Sequence, residues 1–327
     1  MLPYRPYPLL RNGHLQTLML GISLGDRPPH QATEIQIPLA DGESLVVHEE
    51  NGGPLADDVP TAILIHGLGG NHRSPYLQRI AQQLRRIGIR VWRVDLRGSG
   101  AGLTLAWRPA HAGSSSDLAA IVRAAHDRYP HSPLRIAGFS LGGNVLLKLL
   151  GEAAAGGPLA EQIELSCIER ALAIAPPINL HDCSSNMDRL SRRVYTRYYL
   201  QVLEKQVQQR RELYPAWQAI AREPKVRSIR EFDTRYTAPL SGFRDTHHYY
   251  DEASSDQWLP FVKTATTILV DRHDPIVTES SFHRTSFDPS FVKIEHTSHG
   301  GHLGYIGLDD RGNMMRWMDH YVIQSLR

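Results

Sequence analysis

The stretch Ile136-Ala137-Gly138-Phe139-Ser140-Leu141-Gly142-Gly143-Asn144 holds a serine between two glycines in the pattern Gly-x-Ser-x-Gly. The apolar run 134–139 that leads into it has the length of a buried strand, and the run 145–150 that follows is apolar and rich in helix-forming residues. A serine on so tight a strand-to-helix turn takes an unusual backbone conformation, and only small neighbours let the two elements pass close to it. The stretch therefore predicts a Ser140 hydroxyl held out at the edge of a sheet, with the amino end of a helix behind it.

Strands and helices alternate on both sides of this stretch. Residues 34–38 and 44–48 alternate apolar and polar side chains around Asp41-Gly42, which predicts a β-hairpin. Amphipathic helices are expected over 75–87, 117–129 and 310–325. The continuous apolar run 62–66 is typical of a strand buried on both faces, and further strands are predicted at 90–95, 134–139, 171–175, 267–271 and 291–295. The pattern predicts an α/β fold: a mostly parallel, doubly wound sheet of about eight strands.

The alternation stops between residues 177 and 256. Residues 189–222 read as helices and are rich in Arg and Tyr, so we expect a helical cap, inserted after the sixth strand, that lies over the strand ends. The arginine-rich region 189–230 is interpreted as a solvated helical face. The predicted division of the chain is a first part of the core over 1–176 (with an irregular N-terminal segment at 1–30), the cap over 177–256 and a second part of the core over 257–327.

Composition narrows the class of protein and its partners. The 327 residues are 41% apolar and 21% charged, as expected of a globular protein, and a net charge of +2 gives no electrostatic argument for binding nucleic acid. The two cysteines, Cys167 and Cys183, exclude a disulfide framework and fit a reducing compartment. No window has the length and apolarity of a membrane span. These features predict a cytoplasmic protein and leave contact with a membrane surface open.

A serine hydroxyl is a poor nucleophile, so it needs a base and a group that orients that base. On an open α/β sheet these partners follow the serine in the order acid, then histidine. Asp271 ends one predicted strand, where its side chain can serve only the turn, whereas Asp274 precedes a proline that projects its carboxylate from the loop; we favour Asp274. Among the histidines after the last strand we favour His302, which lies between small residues, over His299.

The negative charge of a tetrahedral intermediate needs hydrogen-bond donors that are already in place. The backbone N–H of Leu141, directly after the serine, is one candidate. The loop 66–71, which follows the third strand and is rich in glycine, offers the N–H of Leu68 as the second. The segment 95–100 also follows a strand; we interpret it as a glycine turn braced by an Asp95–Arg97 pair, without a catalytic role.

Neither a metal-ligand spacing nor a nucleotide-binding fingerprint occurs in the sequence. It has no His-Glu-x-x-His, no paired Cys-x-x-Cys, no Gly-x-x-x-x-Gly-Lys loop and no dinucleotide motif. Serine chemistry needs none of these. We therefore expect neither a cofactor nor a metal.

The pattern as a whole resembles the α/β-hydrolase superfamily. The motifs that carry the resemblance are His66-Gly67, Asp95-x-Arg97-Gly98-x-Gly100, Gly138-x-Ser140-x-Gly142-Gly143-Asn144 and the loops of Asp274-Pro275 and His302. More narrowly, the chain is similar to the YheT-like branch, which is related to the eukaryotic abhydrolase-domain lipid hydrolases. Four segments carry this narrower similarity: Arg11-Asn12-Gly13-His14-Leu15-Gln16-Thr17, Gly138-Phe139-Ser140-Leu141-Gly142-Gly143-Asn144, the stretch from Phe232-Asp233 to Tyr249-Tyr250, and Gly300-Gly301-His302-Leu303-Gly304-Tyr305.

The resemblance implies a particular set of residues and a reaction class. It implies a Ser140–Asp274–His302 triad and strengthens His302 over His299, because the branch carries its histidine after Gly-Gly. It also implies hydrolysis of carboxylic esters, since some relatives act on phospholipid acyl esters. The substrate would be a small-molecule or lipid ester of short to medium acyl length. Two alternatives remain: a thioesterase, lipase or acyltransferase on the same residues, or a binding protein without catalysis.

Overall fold

The computed structural model describes residues 2–19 and 31–327, and its main feature is one eight-stranded sheet. The strands are β1 (Ala32–Pro38), β2 (Ser44–Glu50), β3 (Thr61–Ile65), β4 (Arg90–Asp95), β5 (Leu134–Phe139), β6 (Ile168–Ile174), β7 (Thr266–Asp271) and β8 (Val292–Thr297), with a separate hairpin of β9 (Ile306–Leu308) and β10 (Met314–Arg316). The helices are α1 (Gly13–Met19), α2 (Pro75–Arg86), α3 (Ser115–Arg128), α4 (Leu141–Ala154), α5 (Leu180–Met187), α6 (Arg193–Leu213), α7 (Pro215–Gln218), α8 (Ile229–Phe232), α9 (Ala238–Leu240), α10 (Thr246–Ala253), α11 (Ser280–His283) and α12 (Trp317–Leu326).

The order of the strands in the sheet is β1-β2-β4-β3-β5-β6-β7-β8. β1 and β2 form the predicted antiparallel hairpin, in which Gly42 takes a positive φ of 85° at the turn, and β2 pairs antiparallel with β4. All pairings from β4 to β8 are parallel. The predicted α/β fold, with a mostly parallel sheet of about eight strands, is confirmed.

Helices cover both faces of the sheet. Ile63 and Ile65 of β3 pack into one apolar cluster with α3 and α4, whereas Ala62 and Leu64 pack into another with α2 and α12. Every residue of β3 is buried, as the continuous apolar run predicts for a strand covered on both sides. Because parallel strands end at the same edge, the loops after β3, β5, β7 and β8 meet there.

A helical insertion follows β6, as predicted from the loss of alternation. The chain between β6 and β7 forms α5 to α10, of which the 21-residue helix α6 is the longest. The exact division of the chain at residues 176 and 256 stays a prediction. Within the part of the chain that the structure describes, no helix has the length and apolar character needed to cross a membrane.

Two predicted segments differ from the structure. The N-terminal segment 1–30 was expected to be irregular, but its residues 13–19 form helix α1, while residues 1 and 20–30 lie outside the described residues. The last helix begins at Trp317 instead of 310, since the β9–β10 hairpin precedes it. Both errors concern segments whose structure depends on packing against the core, which a local pattern does not report.

The predicted Asp95–Arg97 pair is wrong. Arg97 binds Asp117 through two nitrogens, at 2.9 and 2.6 Å, and also contacts Glu43. Asp95 instead accepts hydrogen bonds from the rings of His48 (2.9 Å) and His72 (2.7 Å) and from backbone N–H groups. Of the predicted pair, Asp95 alone braces the glycine turn, because it accepts the N–H of Ala101 (2.8 Å) and lies so close to Gly100 that a Cβ there would be 2.3 Å from its carboxylate oxygen.

Candidate active site

Ser140 lies at the turn between β5 and α4 with φ 51° and ψ −120°, a backbone conformation that non-glycine residues rarely adopt. The glycines around it are sterically required. A Cβ on Gly138 would lie 2.4 Å from the carbonyl oxygen of Gly142, and a Cβ on Gly142 would lie 2.5 Å from that of His66. The close contact of strand and helix therefore holds the serine in a strained turn, of the kind that exposes a nucleophile at a sheet edge.

His302 connects Ser140 to Asp274. Its Nε2 lies 2.9 Å from Ser140 Oγ and its Nδ1 lies 2.8 Å from Asp274 Oδ2. A carboxylate only accepts hydrogen bonds, so Nδ1 carries the proton and Nε2 is left to accept the serine hydroxyl. The side chains of His302 and Asp274 are each 1% exposed, and Ser140 is 8% exposed. The three residues thus form a buried chain of hydrogen bonds.

The two carboxylates at the end of β7, Asp271 and Asp274, have different partners. Asp274 holds its loop through Oδ1, which accepts the N–H groups of Ile276 (2.7 Å) and Val277 (3.0 Å), and this leaves Oδ2 for His302. Asp271 accepts the backbone N–H groups of Gly300 and Gly301, at 2.7 and 3.1 Å. Asp271 therefore braces the histidine loop, and Asp274 is the carboxylate that contacts the imidazole.

His299 lies away from Ser140. Its ring stacks on that of His273, with centroids 4.5 Å apart and the planes 8° from parallel, and its φ is 71°. The structure brings His302 to the serine and places His299 at the turn before it.

The two candidate oxyanion donors lie next to Ser140. Leu141 is the first residue of α4, and Leu68 is on the loop after β3; both line the cavity that contains Ser140. A Cβ on Gly67 would lie 3.1 Å from Ser140 Cβ, which brings this loop against the serine. Among residues 2–19 and 31–327, neither backbone N–H has a protein acceptor, so both donors are available to a ligand.

His66 fixes the loop that carries Leu68. Its Nδ1 donates to the carbonyl of Gly67 (2.8 Å), and its Nε2 accepts the N–H of Leu96 (3.2 Å). Burial lowers the pKa of His66, which keeps this donor–acceptor pattern because only the neutral ring can accept. The imidazole thereby ties the loop after β3 to the end of β4.

Helix α1 contacts the histidine loop, a role that the sequence analysis did not give it. Thr17 Oγ1 accepts the backbone N–H of His302 (2.8 Å) and donates to the carbonyl of Gly13 (2.7 Å). Gln16, which is fully buried, binds both the N–H and the carbonyl of Ile306. In the sequence, this contact was signalled only by the motif Arg11-Asn12-Gly13-His14-Leu15-Gln16-Thr17. That motif contributed to the family resemblance, but no structural role was predicted for it.

Among the residues that the structure describes, two groups of side chains have the composition of a metal site. His48, His72 and Asp95 are buried, and His181, His247 and Asp251 are more exposed. In the first group Asp95 Oδ2 already accepts hydrogen bonds from both imidazoles and from the N–H of Ala101. Burial alone would raise the pKa of Asp95, but the hydrogen bonds from His48 and His72 outweigh it and lower the pKa. A carboxylate so fully satisfied is typical of a structural brace between β2 and β4.

Comparison with known proteins identifies the family. Residues 60–307 match the family model described as alpha/beta hydrolase fold, so the chain belongs to this family. It is 29% identical over 301 residues to the YheT protein of Escherichia coli (90% of this chain, 85% of that one), and 28% identical over 287 residues to phospholipase ABHD3 of Mus musculus (86% and 68%). The resemblance to the YheT-like branch is confirmed.

Solved structures show the same fold. An esterase from Pyrococcus furiosus superimposes with a TM-score of 0.54 at 16% sequence identity, covering 93% of this chain and 94% of that one. At this identity the likeness concerns the fold alone.

Proposed function

We propose that this protein is a serine hydrolase that cleaves carboxylic esters through an acyl-enzyme on Ser140. The observation that carries the proposal is the buried chain Ser140–His302–Asp274, with spacings of 2.9 and 2.8 Å. Two relatives, YheT of Escherichia coli, named as an esterase, and ABHD3 of Mus musculus, named as a phospholipase, support the same class of reaction. The acyl group is of short to medium length, and the ester is a small molecule or a lipid.

The first half of the reaction forms the acyl-enzyme. Ser140 Oγ attacks the ester carbonyl carbon while His302 Nε2 takes the hydroxyl proton, and the Asp274 carboxylate stabilises the imidazolium that results. The N–H groups of Leu68 and Leu141 bind the oxyanion. When the intermediate collapses, the carbon–oxygen bond to the alcohol breaks, and His302 gives its proton to the departing oxygen.

The second half releases the acid. A water molecule takes the place of the alcohol and attacks the acyl carbonyl while His302 Nε2 accepts its proton. The same two N–H groups bind the second oxyanion. Collapse breaks the bond between Ser140 Oγ and the acyl carbon, returns the proton to Oγ and frees the carboxylic acid. No group beyond these residues and water is used.

Hydrolysis of p-nitrophenyl butyrate by the wild type and by Ser140→Ala tests this mechanism. Removal of the nucleophile should lower kcat by several orders of magnitude, on the order of the 10⁶-fold typical of a lost triad serine. A serine-directed fluorophosphonate should label the wild type and leave Ser140→Ala unlabelled. Activity of the folded variant within about tenfold of wild type would contradict the mechanism. Addition of an alcohol that diverts acyl groups from water would identify an acyltransferase.

A further inference from the structure

Two cavities meet at Ser140 and share the loop of Gly67 and Leu68. We call the first the cap chamber; it has an empty volume of about 1190 Å³, part of it open to solvent, and its lining includes Leu141, Leu180, Leu203, Val207 and Trp217. We call the second the histidine chamber; its lining includes Thr17, Tyr76, Tyr195, Val202 and His302. Leu141 lines only the cap chamber, and His302 lines only the histidine chamber.

Helix α6 lines both chambers. Its N-terminal half contributes Tyr195 and Val202 to the histidine chamber, and its C-terminal half contributes Leu203 and Val207 to the cap chamber. Tyr199, in the N-terminal half, lines both chambers. Substitutions on this one helix can therefore narrow either chamber separately.

The chemistry of the reaction assigns the chambers to the two halves of an ester. His302 must protonate the departing oxygen, so the alcohol has to lie on the side of the serine that His302 lines. The acyl group leaves the carbonyl carbon in a direction different from the departing oxygen and from the oxyanion, which the N–H groups of Leu68 and Leu141 bind. Since His302 lines the histidine chamber and not the cap chamber, the alcohol belongs to the first and the acyl group to the second.

The charged side chains that line the cap chamber have their partners within the protein. Arg210 donates to the carbonyls of Gly98 (2.8 Å), Arg108 (3.1 Å) and Trp107 (3.2 Å), and Asp233 accepts the hydroxyls of Thr237 (2.7 Å) and Tyr250 (2.8 Å). Burial lowers the pKa of His111, on the same wall, to about 3, which keeps its ring neutral. With these charges paired, the lining is mostly apolar and suits an uncharged hydrocarbon chain.

The histidine chamber has a different character. The hydroxyls of Thr17 and Tyr195 form hydrogen bonds within the N-terminal segment and the histidine loop. Tyr198 also lines this chamber, and it is 59% exposed, so the chamber reaches the protein surface. A chamber that opens to solvent beside an exposed hydroxyl suits an alcohol that is itself polar and larger than methanol.

We propose that the substrate is an ester of an uncharged medium-chain fatty acid with a polar, polyol-like alcohol, the acyl chain lying in the cap chamber and the alcohol in the histidine chamber. This assignment rests on the proposed ester hydrolysis at Ser140. It makes Val207 a determinant of acyl length and Val202 a determinant of the alcohol.

The pair Val207→Trp and Val202→Trp tests the assignment, because each variant places the same bulk on the same helix. Activity is measured on p-nitrophenyl esters from C4 to C12, which share one leaving group. For Val207→Trp, kcat/KM for C10 relative to C4 should fall at least about tenfold, whereas Val202→Trp should keep the wild-type dependence on acyl length. On hexanoate esters, Val202→Trp should lose kcat/KM for the glycerol ester relative to the methyl ester, and Val207→Trp should not.

A measurement on the wild type covers the case in which a variant fails to fold. p-Nitrophenyl octylphosphonate reacts with Ser140 by forming an Oγ–P bond and releasing nitrophenolate, and the octyl chain then takes the place of the acyl chain. A crystal structure of the adduct should show this chain beside Leu203 and Val207. A chain beside Val202 and Tyr195, or an acyl-length profile that shifts in Val202→Trp instead of Val207→Trp, overturns the assignment. Absence of Ser140-dependent hydrolysis would overturn the proposed function itself, a separate outcome.

Discussion

Asp271 ends strand β7 and Asp274 lies three residues further on, yet their carboxylates act on different parts of the histidine loop. Asp274 contacts the ring of His302, and Asp271 holds the backbone of Gly300 and Gly301 in front of it. Asp271 also accepts the hydroxyl of Thr297 (2.9 Å) and the N–H of His273 (2.9 Å). One carboxylate orients the imidazole, and the other fixes the loop from which the imidazole projects.

This separation predicts different losses for the two asparagine variants. Asp274→Asn removes the acceptor that fixes the Nδ1–H tautomer and stabilises the imidazolium of His302, so kcat on p-nitrophenyl butyrate should fall by about 10³- to 10⁴-fold with little change in stability. Asp271→Asn should lower the free energy of unfolding by about 1–3 kcal/mol, because some backbone N–H groups lose their acceptor. Equal losses of kcat in the two variants would show that the contacts do not divide the roles in this way.

The turn that holds Ser140 could be predicted from the sequence, whereas the roles of the two carboxylates could not be predicted fully. Gly138 and Gly142 flank the serine at a fixed spacing, so the strained turn at Ser140 is a local property and could be predicted. The roles of Asp271 and Asp274 depend on how the loops after β7 and β8 face each other, and the proline after Asp274 was the only local signal that favoured it. The Asp95–Arg97 pair was wrong for the same reason, since His48, on another strand, is a partner of Asp95.

At the scale of elements, helix α1 is a brace for the loop after β8. A Cβ on Gly301 would lie 2.2 Å from the carbonyl of Gly13, and one on Gly13 would lie 2.0 Å from the carbonyl of His273, so the helix packs directly against both loops of the site. The segment is too short for a clear helical period and is stabilised by tertiary contacts, which explains why the sequence predicted an irregular structure.

Thr17 is the residue through which α1 positions His302. Thr17→Val keeps the shape of the side chain but removes the acceptor of the His302 N–H, so kcat should fall about tenfold while KM stays unchanged, a loss on the order of one hydrogen bond. Thr17→Ser restores the hydroxyl and should recover kcat to within about twofold. The ratio of the two variants is the decisive measurement, because a purely steric role of Thr17 would make Ser as harmful as Val.

At the scale of the whole molecule, Arg210 joins the cap to the core. It is 3% exposed on α6, and its guanidinium donates to backbone carbonyls of the segment 97–108 that follows β4. The arginine-rich region was expected to be a solvated helical face, and for Arg210 that expectation is wrong. The amino-acid composition of a segment does not show which of its arginine side chains are buried, so this contact could not be predicted from the sequence.

The neighbouring Arg211 supplies a control for this contact. Arg211 also donates to backbone carbonyls, but those of Trp217 (2.8 Å), Ile220 (2.7 Å) and Gln218 (3.0 Å), which belong to the cap itself. Arg210→Met removes the donors between cap and core, and Arg211→Met removes donors within the cap. The two variants lose the same charge from adjacent positions of one helix, so general electrostatic effects cancel in their comparison.

Arg210→Met should therefore loosen the cap from the core, and Arg211→Met should not. Because buried carbonyls lose charged donors, the free energy of unfolding should fall by about 3 kcal/mol or more in Arg210→Met. Native-state hydrogen exchange should accelerate in the backbone of 97–108 in that variant and stay at the wild-type rate in Arg211→Met. Since Arg210 also lines the cap chamber, hydrolysis of C10 esters should fall more than that of C4 esters. Unchanged exchange in 97–108 would mean that packing of the apolar side chains, and not Arg210, holds the cap on the core.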